Sequence, residues 1–75
     1  MGRDLDAAVT EALDLAAQRG GSLFALTLAV PFPSAAVEGR VRRQLARAGV
    51  RQVEVSLEVT SGPPRIVAVE LGRQA

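Results

Sequence analysis

The chain has 75 residues and no His, Cys, Lys, Tyr, Trp or Asn. Each absence removes a class of chemistry. Zinc, copper and iron–sulphur sites are built from His and Cys, so a metal centre held within one chain is not expected. No side chain has an ordinary pKa near neutrality. No Lys can form a Schiff base, and neither a Ser–His nor a Cys–His pair can form. No disulfide can staple a core this small, which unaided supplies only about 3–5 kcal/mol. Only two residues are aromatic, Phe24 and Phe32. Eight carboxylates, nine Arg and a few hydroxyls remain. Carboxylate pairs can do acid–base work, but no spacing singles one out. The expectation is a non-enzymatic protein without metal or cofactor.

Hydrophobic residues make up 48% of the chain and the net charge is +1. That composition folds. One net charge is too little to imply a nucleic-acid or membrane partner, although the pI is near 9.0. The segment from Met1 to Asp6 is charged and lacks a signal-peptide core. The apolar run from Leu23 to Phe32 is too short to span a bilayer. These features predict a soluble, cytoplasmic, single-domain protein.

Leu5, Val9, Ala12, Leu13 and Ala16 recur at helical spacing, which predicts a helix over 4–19, capped by Asp4 and stopped by Gly20-Gly21. A strand follows over 22–30. Phe24, Leu26, Leu28 and Val30 point one way and Leu23, Ala25, Thr27 and Ala29 the other. Neither side is charged, so the strand is expected at the centre of its sheet. Pro31-Phe32-Pro33 ends it.

A second helix is expected over 34–48, with Ser34 as its N-cap and Gly49 as its stop. The clearest strand is 51–60, where Val53, Val55, Leu57 and Val59 form the buried side. After the turn Ser61-Gly62-Pro63-Pro64, a last strand runs over 65–71 with Val67, Val69 and Leu71 on one side. Its Ile66, Ala68 and Glu70 side has no helix to cover it. Residues 72–75 are expected to fray. The fold class is α+β, in the order α-β-α-β-β. It is a two-layer sandwich with both helices on one face of a small three-stranded mixed sheet. The last two strands are expected to pair as a hairpin.

Arg40, Arg43 and Arg47 share one flank of the second helix. They make either a site for an anion or acidic partner or a solvated face. Arg42 lies off that flank and has Glu38 four residues before it, a stabilising pair. Phe32 either anchors a partner or plugs the core beneath the helix. With two aromatics in all, base stacking is weakly supported and nucleic acid is not the expected partner. The edge formed by Ile66, Val67 and Val69 carries no Lys, so it is poorly protected against pairing. A homodimer through this strand, or through the open face beside it, is expected, with a protein as a further partner.

Four stretches carry a family resemblance: Gly2-Arg3-Asp4-Leu5, Gly20-Gly21 with Leu23 to Pro33, Gly49 to Val55, and Arg65 to Val69 with Gly72-Arg73. In these the chain resembles the small assembly domain of SufT- and PaaD-like proteins and the N-terminal domain of Mrp/ApbC-type iron–sulphur carriers. Phe32 stands where the family's Thr-Pro-x-Cys-Pro passage carries its cysteine, and no GKGGVGKS phosphate loop occurs. The resemblance therefore implies a scaffold or docking module that neither holds a cluster through that cysteine nor hydrolyses ATP.

Overall fold

The computed structural model describes residues 2–72, with residues 2 and 3 described through their backbone alone. The order is α1 (Gly2–Arg19), β1 (Ser22–Val30), α2 (Ala35–Arg47), β2 (Glu54–Val59) and β3 (Arg65–Gly72). This is the α+β arrangement that the sequence predicts. Helix α1 starts two residues early, so Asp4 lies in its first turn rather than capping it. Gly72 is the last residue of β3 and pairs with Ser22. The rest of the tail expected to fray, 73–75, lies outside the described residues.

Both helices end in the same way. Gly20 and Gly49 take positive φ, at 66° and 87°. The amide after each closes a six-residue loop, from Gly21 to the Ala16 carbonyl and from Val50 to the Leu45 carbonyl. These are Schellman caps, which need a residue tolerant of the left-handed region. Gly21 is needed for room instead. A Cβ there would stand 3.1 Å from the Gly72 carbonyl oxygen. At the other end of α2, the Ser34 hydroxyl accepts from the Val37 amide, as expected of an N-cap.

The sheet order is β2-β1-β3, with β1 parallel to β2 and antiparallel to β3. The central place of uncharged β1 is as expected. The hairpin between β2 and β3 is not formed. Instead Thr60 to Pro64 crosses the end of β1, tied down by the Thr60 amide donating to the Val30 carbonyl. The crossing spans two strand spacings, about 10 Å, within easy reach of five residues. It gives β1 a partner on both sides, where a hairpin would have left this apolar strand on an edge.

Two bulges of opposite sense reset the alternation in β1 and β3. Leu23 pairs with Leu71 but Ala25 with Glu70, which leaves Phe24 as the extra residue on β1. Thr27 pairs with Ala68 but Leu28 with Ile66, which leaves Val67 extra on β3. A bulged residue shifts the inward phase by one. Leu23 is therefore buried in the core, and Phe24, expected inside, is 47% exposed. On β3, Ile66, Val69 and Leu71 pack against the core. The expectation of an uncovered Ile66 side is thus overturned, and Val67 is 44% exposed.

The core sits between the helices and this inner face. Leu5, Val9 and Ala12 of α1 meet Leu26 and Leu28 of β1 with Val41 and Leu45 of α2. Val53 and Val55 join it and Leu57 packs at its border. Val59, expected inside, is 73% exposed. It ends an edge strand near the start of α2, where Ala35 and Ala36 offer too little side chain to cover it.

Candidate functional site

The two helices meet along a polar seam. Asp6 of α1 faces Arg40 of α2, with Oδ1 3.5 Å from Nε. One turn on, the Gln44 amide nitrogen donates to the Asp6 carbonyl at 3.0 Å and to the Thr10 hydroxyl at 3.2 Å. Contacts that advance together along both chains show that the helices run in the same direction. Gln44 Oε1 is buried without a hydrogen-bond partner among the described residues. Asp6, Arg40, Arg43, Gln44 and Arg47 line a groove of about 390 Å³.

The structure thus brings all three predicted Arg to one groove. It does not leave all three free. Arg40 is engaged by Asp6, a half-exposed pair of small energetic worth. Arg43 and Arg47 are exposed and have no ion-pair partner among the described residues. Their guanidiniums start one helical turn apart, about 6 Å along the axis. That spacing suits one anionic group held by two Arg. The Asp6 carboxylate and the lone pairs of Gln44 Oε1 act against an anion lying deeper in the groove.

Arg42 has the structural role the sequence assigns it, and a second one. Its Nε donates to Glu38 at 3.0 Å. Its other nitrogen, Nη1, donates to the Val53 carbonyl at 3.0 Å and so ties α2 to the chain just before β2. Helical spacing shows the first bond. The second joins residues eleven apart across a turn, and local sequence carries no signal of it.

Phe32 is 72% exposed and does not plug the core. It stands with Val59 at the end of the sheet crossed by Thr60 to Pro64, so two large apolar side chains are bare at one end of the molecule. The three residues expected at the dimer edge are split. Ile66 and Val69 pack against the core, while Val67 is 44% exposed. Strand β3 has β1 on one side and, among the described residues, no strand on the other.

A second hollow, of about 920 Å³, lies where both helices end. Leu13, Ala16, Leu23, Phe24 and Val50 line it with Asp14 and Arg51. Sequence reading missed it because the two glycine stops that shape it, Gly20-Gly21 and Gly49, look like ordinary helix ends. Asp14 is its one carboxylate and Arg51 its one guanidinium. The hydroxyls of Thr10, Ser34 and Thr60 each accept from a structural N–H, in a helix seam, a cap and a turn. Among the described residues no group of three or more carboxylates could hold a metal ion. None of the described helices is long and apolar enough to cross a membrane. No family model, curated protein or solved structure gives a significant match to the chain.

Proposed function

We propose that this chain is a small non-enzymatic interaction module that acts through protein contacts in the cytoplasm as a homodimer. It is a scaffold of the kind implied by its resemblance to iron–sulphur assembly domains. The observation that carries this reading is the outer side of β3, an eight-residue strand with, among the described residues, a neighbour on one side only. An open strand edge without Lys invites pairing, and a thin core gains from a subunit contact. The Val67 bulge blunts the edge at one point, leaving Ala68 to Gly72 without an extra residue of their own. Sedimentation equilibrium at micromolar concentration tests the reading. A dimer is expected, and Val67→Pro should yield a folded monomer, because bulges tolerate Pro and the change removes an edge donor. A wild-type chain that stays monomeric and folded sinks the dimer. A dimer that survives Val67→Pro moves the contact away from β3.

A second reading is a phosphate- or nucleic-acid-binding domain that uses the Arg flank of α2. Its support is the pair of guanidiniums without an ion-pair partner among the described residues, Arg43 and Arg47, on one groove. Phe24 offers no stacking platform to that flank, since it does not line the groove. Binding of this kind weakens steeply with salt. Changing Arg40, Arg43 and Arg47 together to Gln should abolish it while leaving the dimer intact. An oligonucleotide or inorganic phosphate that binds the triple variant normally returns the flank to solvent.

A further inference from the structure

The face of the sheet turned away from the helices has no second layer over it among the described residues. Phe24, the extra residue of β1, is 47% exposed with its ring beside Gly72, and Val67, the extra residue of β3, is 44% exposed. Bulges of this kind re-aim a side chain and bend a strand. Around them the pairing register arranges the outward residues in three rows. Glu54, Ala25 and Glu70 form the first, Ser56, Thr27 and Ala68 the second, and Glu58, Ala29 and Arg65 the third. The middle column is small throughout. The four corners are charged, three of them negative.

We infer that this face docks a basic amphipathic α-helix of a partner protein, laid along β1. This deepens the reading of the chain as an interaction module by naming the surface and the chemistry of the partner. The outer columns stand about 10 Å apart, the width of a helix with its side chains. Ala25 and Thr27 are part-exposed and leave a shallow floor between them, while Ala29 is closed over. Glu54 and Glu58 lie about 13 Å apart along β2, which two basic residues at i and i+7 of a helix, about 10.5 Å apart, span with their long side chains. Glu70 takes a basic residue on the other flank. Phe24, beside Gly72, adds apolar contact at the end of the floor.

Charge favours none of the other occupants. A second copy laid face to face gains no net complementarity in any two-fold orientation. With the axis along β1, Glu54 meets Glu70 of the second copy while Glu58 meets Arg65. With the axis across the strands, Glu54 meets Glu58 while Glu70 meets Arg65. On either diagonal a corner carboxylate meets its own counterpart. Like charges juxtaposed across an interface suppress that pairing. Nucleic acid and anionic lipid are repelled by the same three carboxylates.

The test uses a synthetic helical peptide with Ala along one stripe and Arg flanking it at i and i+7, and a control peptide with Glu in place of Arg. The Arg peptide is titrated into the full chain and followed by amide chemical shifts. Saturable binding is expected, with the largest shifts at Thr27, Ala68 and Glu54. Changing Glu54, Glu58 and Glu70 to Gln should weaken it at least about tenfold and flatten its salt dependence. Thr27→Arg should block the floor. Absent binding, shifts confined to α2, equal binding of the Glu peptide, or an unchanged affinity for the triple variant each overturn the proposal. Sedimentation of the same samples separates this result from the dimer. A monomer that binds the Arg peptide sinks the dimer alone, and a dimer that ignores it sinks the docking face alone.

Discussion

The two faces of the sheet are cut from the same three strands and share no design. The inner face is Leu and Val, sealed by two helices: Leu23, Leu26, Leu28 and Val30 of β1 are all buried. The bare face holds Ala25, Thr27 and Ala29 on the same strand. Yet Ala29 is as well buried as its inward neighbours. A methyl group between Glu58 and Arg65 on the flanking strands is hidden without a second layer above it. An uncharged strand therefore reports that it has neighbours on both sides, and not that both of its faces are covered.

The sharpest way to break this contrast is a pair of adjacent substitutions on β1. Leu28→Ala removes a side chain from the sealed face and should cost about 2–5 kcal/mol. That approaches the whole stability expected of a core this small, so most of the population should unfold. Thr27→Ala, one residue away on the bare face, should change stability by less than about 0.5 kcal/mol. Urea unfolding followed by circular dichroism measures both. A Thr27→Ala loss that rivals Leu28→Ala would mean that the bare face is packed against something in the isolated protein.

The same contrast sharpens along β2. Val55 is buried and Val59, at the end of the strand, is bare. Val→Thr keeps the shape and adds a hydroxyl. Burying that hydroxyl at position 55 should cost about 1–3 kcal/mol, whereas Thr at position 59 should be neutral. Equal effects at the two positions would show that Val59 is covered, most simply by a second copy or by Phe32 folding over it.

These pairs also mark where the sequence was legible. Apolar spacing of three and four placed both helices, Ser34 and the two glycine stops placed their ends, and the absence of charge placed β1 at the centre. Alternation then misassigned Leu23, Phe24 and Ile66, because one extra residue on each of two strands shifts the phase and no residue type signals it. The pairing of β3 was illegible for a different reason. Hairpin and crossing use the same turn residues, and what separates them is the gain to β1, a strand far from the turn in sequence. Of the candidate site, helical spacing found the Arg flank. It could not show that Asp6 claims Arg40, since helix-to-helix register is set by tertiary packing.

The seam between the helices offers a smaller effect. Gln44→Ala removes two hydrogen bonds to α1 but also removes a buried oxygen that has no partner among the described residues. The two partly cancel, so a net loss of about 1 kcal/mol is expected. Gln44→Leu fills the same space with apolar atoms and should lie closer to neutral than Gln44→Ala. A Leu variant less stable than the Ala variant would show that the amide, and not its volume, holds the helices together.

The smallest effects separate Arg42 from its neighbour Arg43, two guanidiniums on one exposed helix. Arg42→Ala breaks the bond to the Val53 carbonyl together with the Glu38 pair and should cost about 1 kcal/mol. Glu38→Gln removes only the helical ion pair and should cost a few tenths, about 0.2–0.5 kcal/mol. Arg43→Ala should fall within about 0.5 kcal/mol of wild type, because the side chain has no partner to lose among the described residues. Thermal unfolding of the three variants side by side resolves the order. If Arg42→Ala costs no more than Glu38→Gln, the reach to Val53 is energetically idle, and β2 is positioned by the burial of Val53 and Val55 alone. If Arg43→Ala costs as much as Arg42→Ala, Arg43 has a partner in solution. The two free guanidiniums that support anion binding would then be reduced to one.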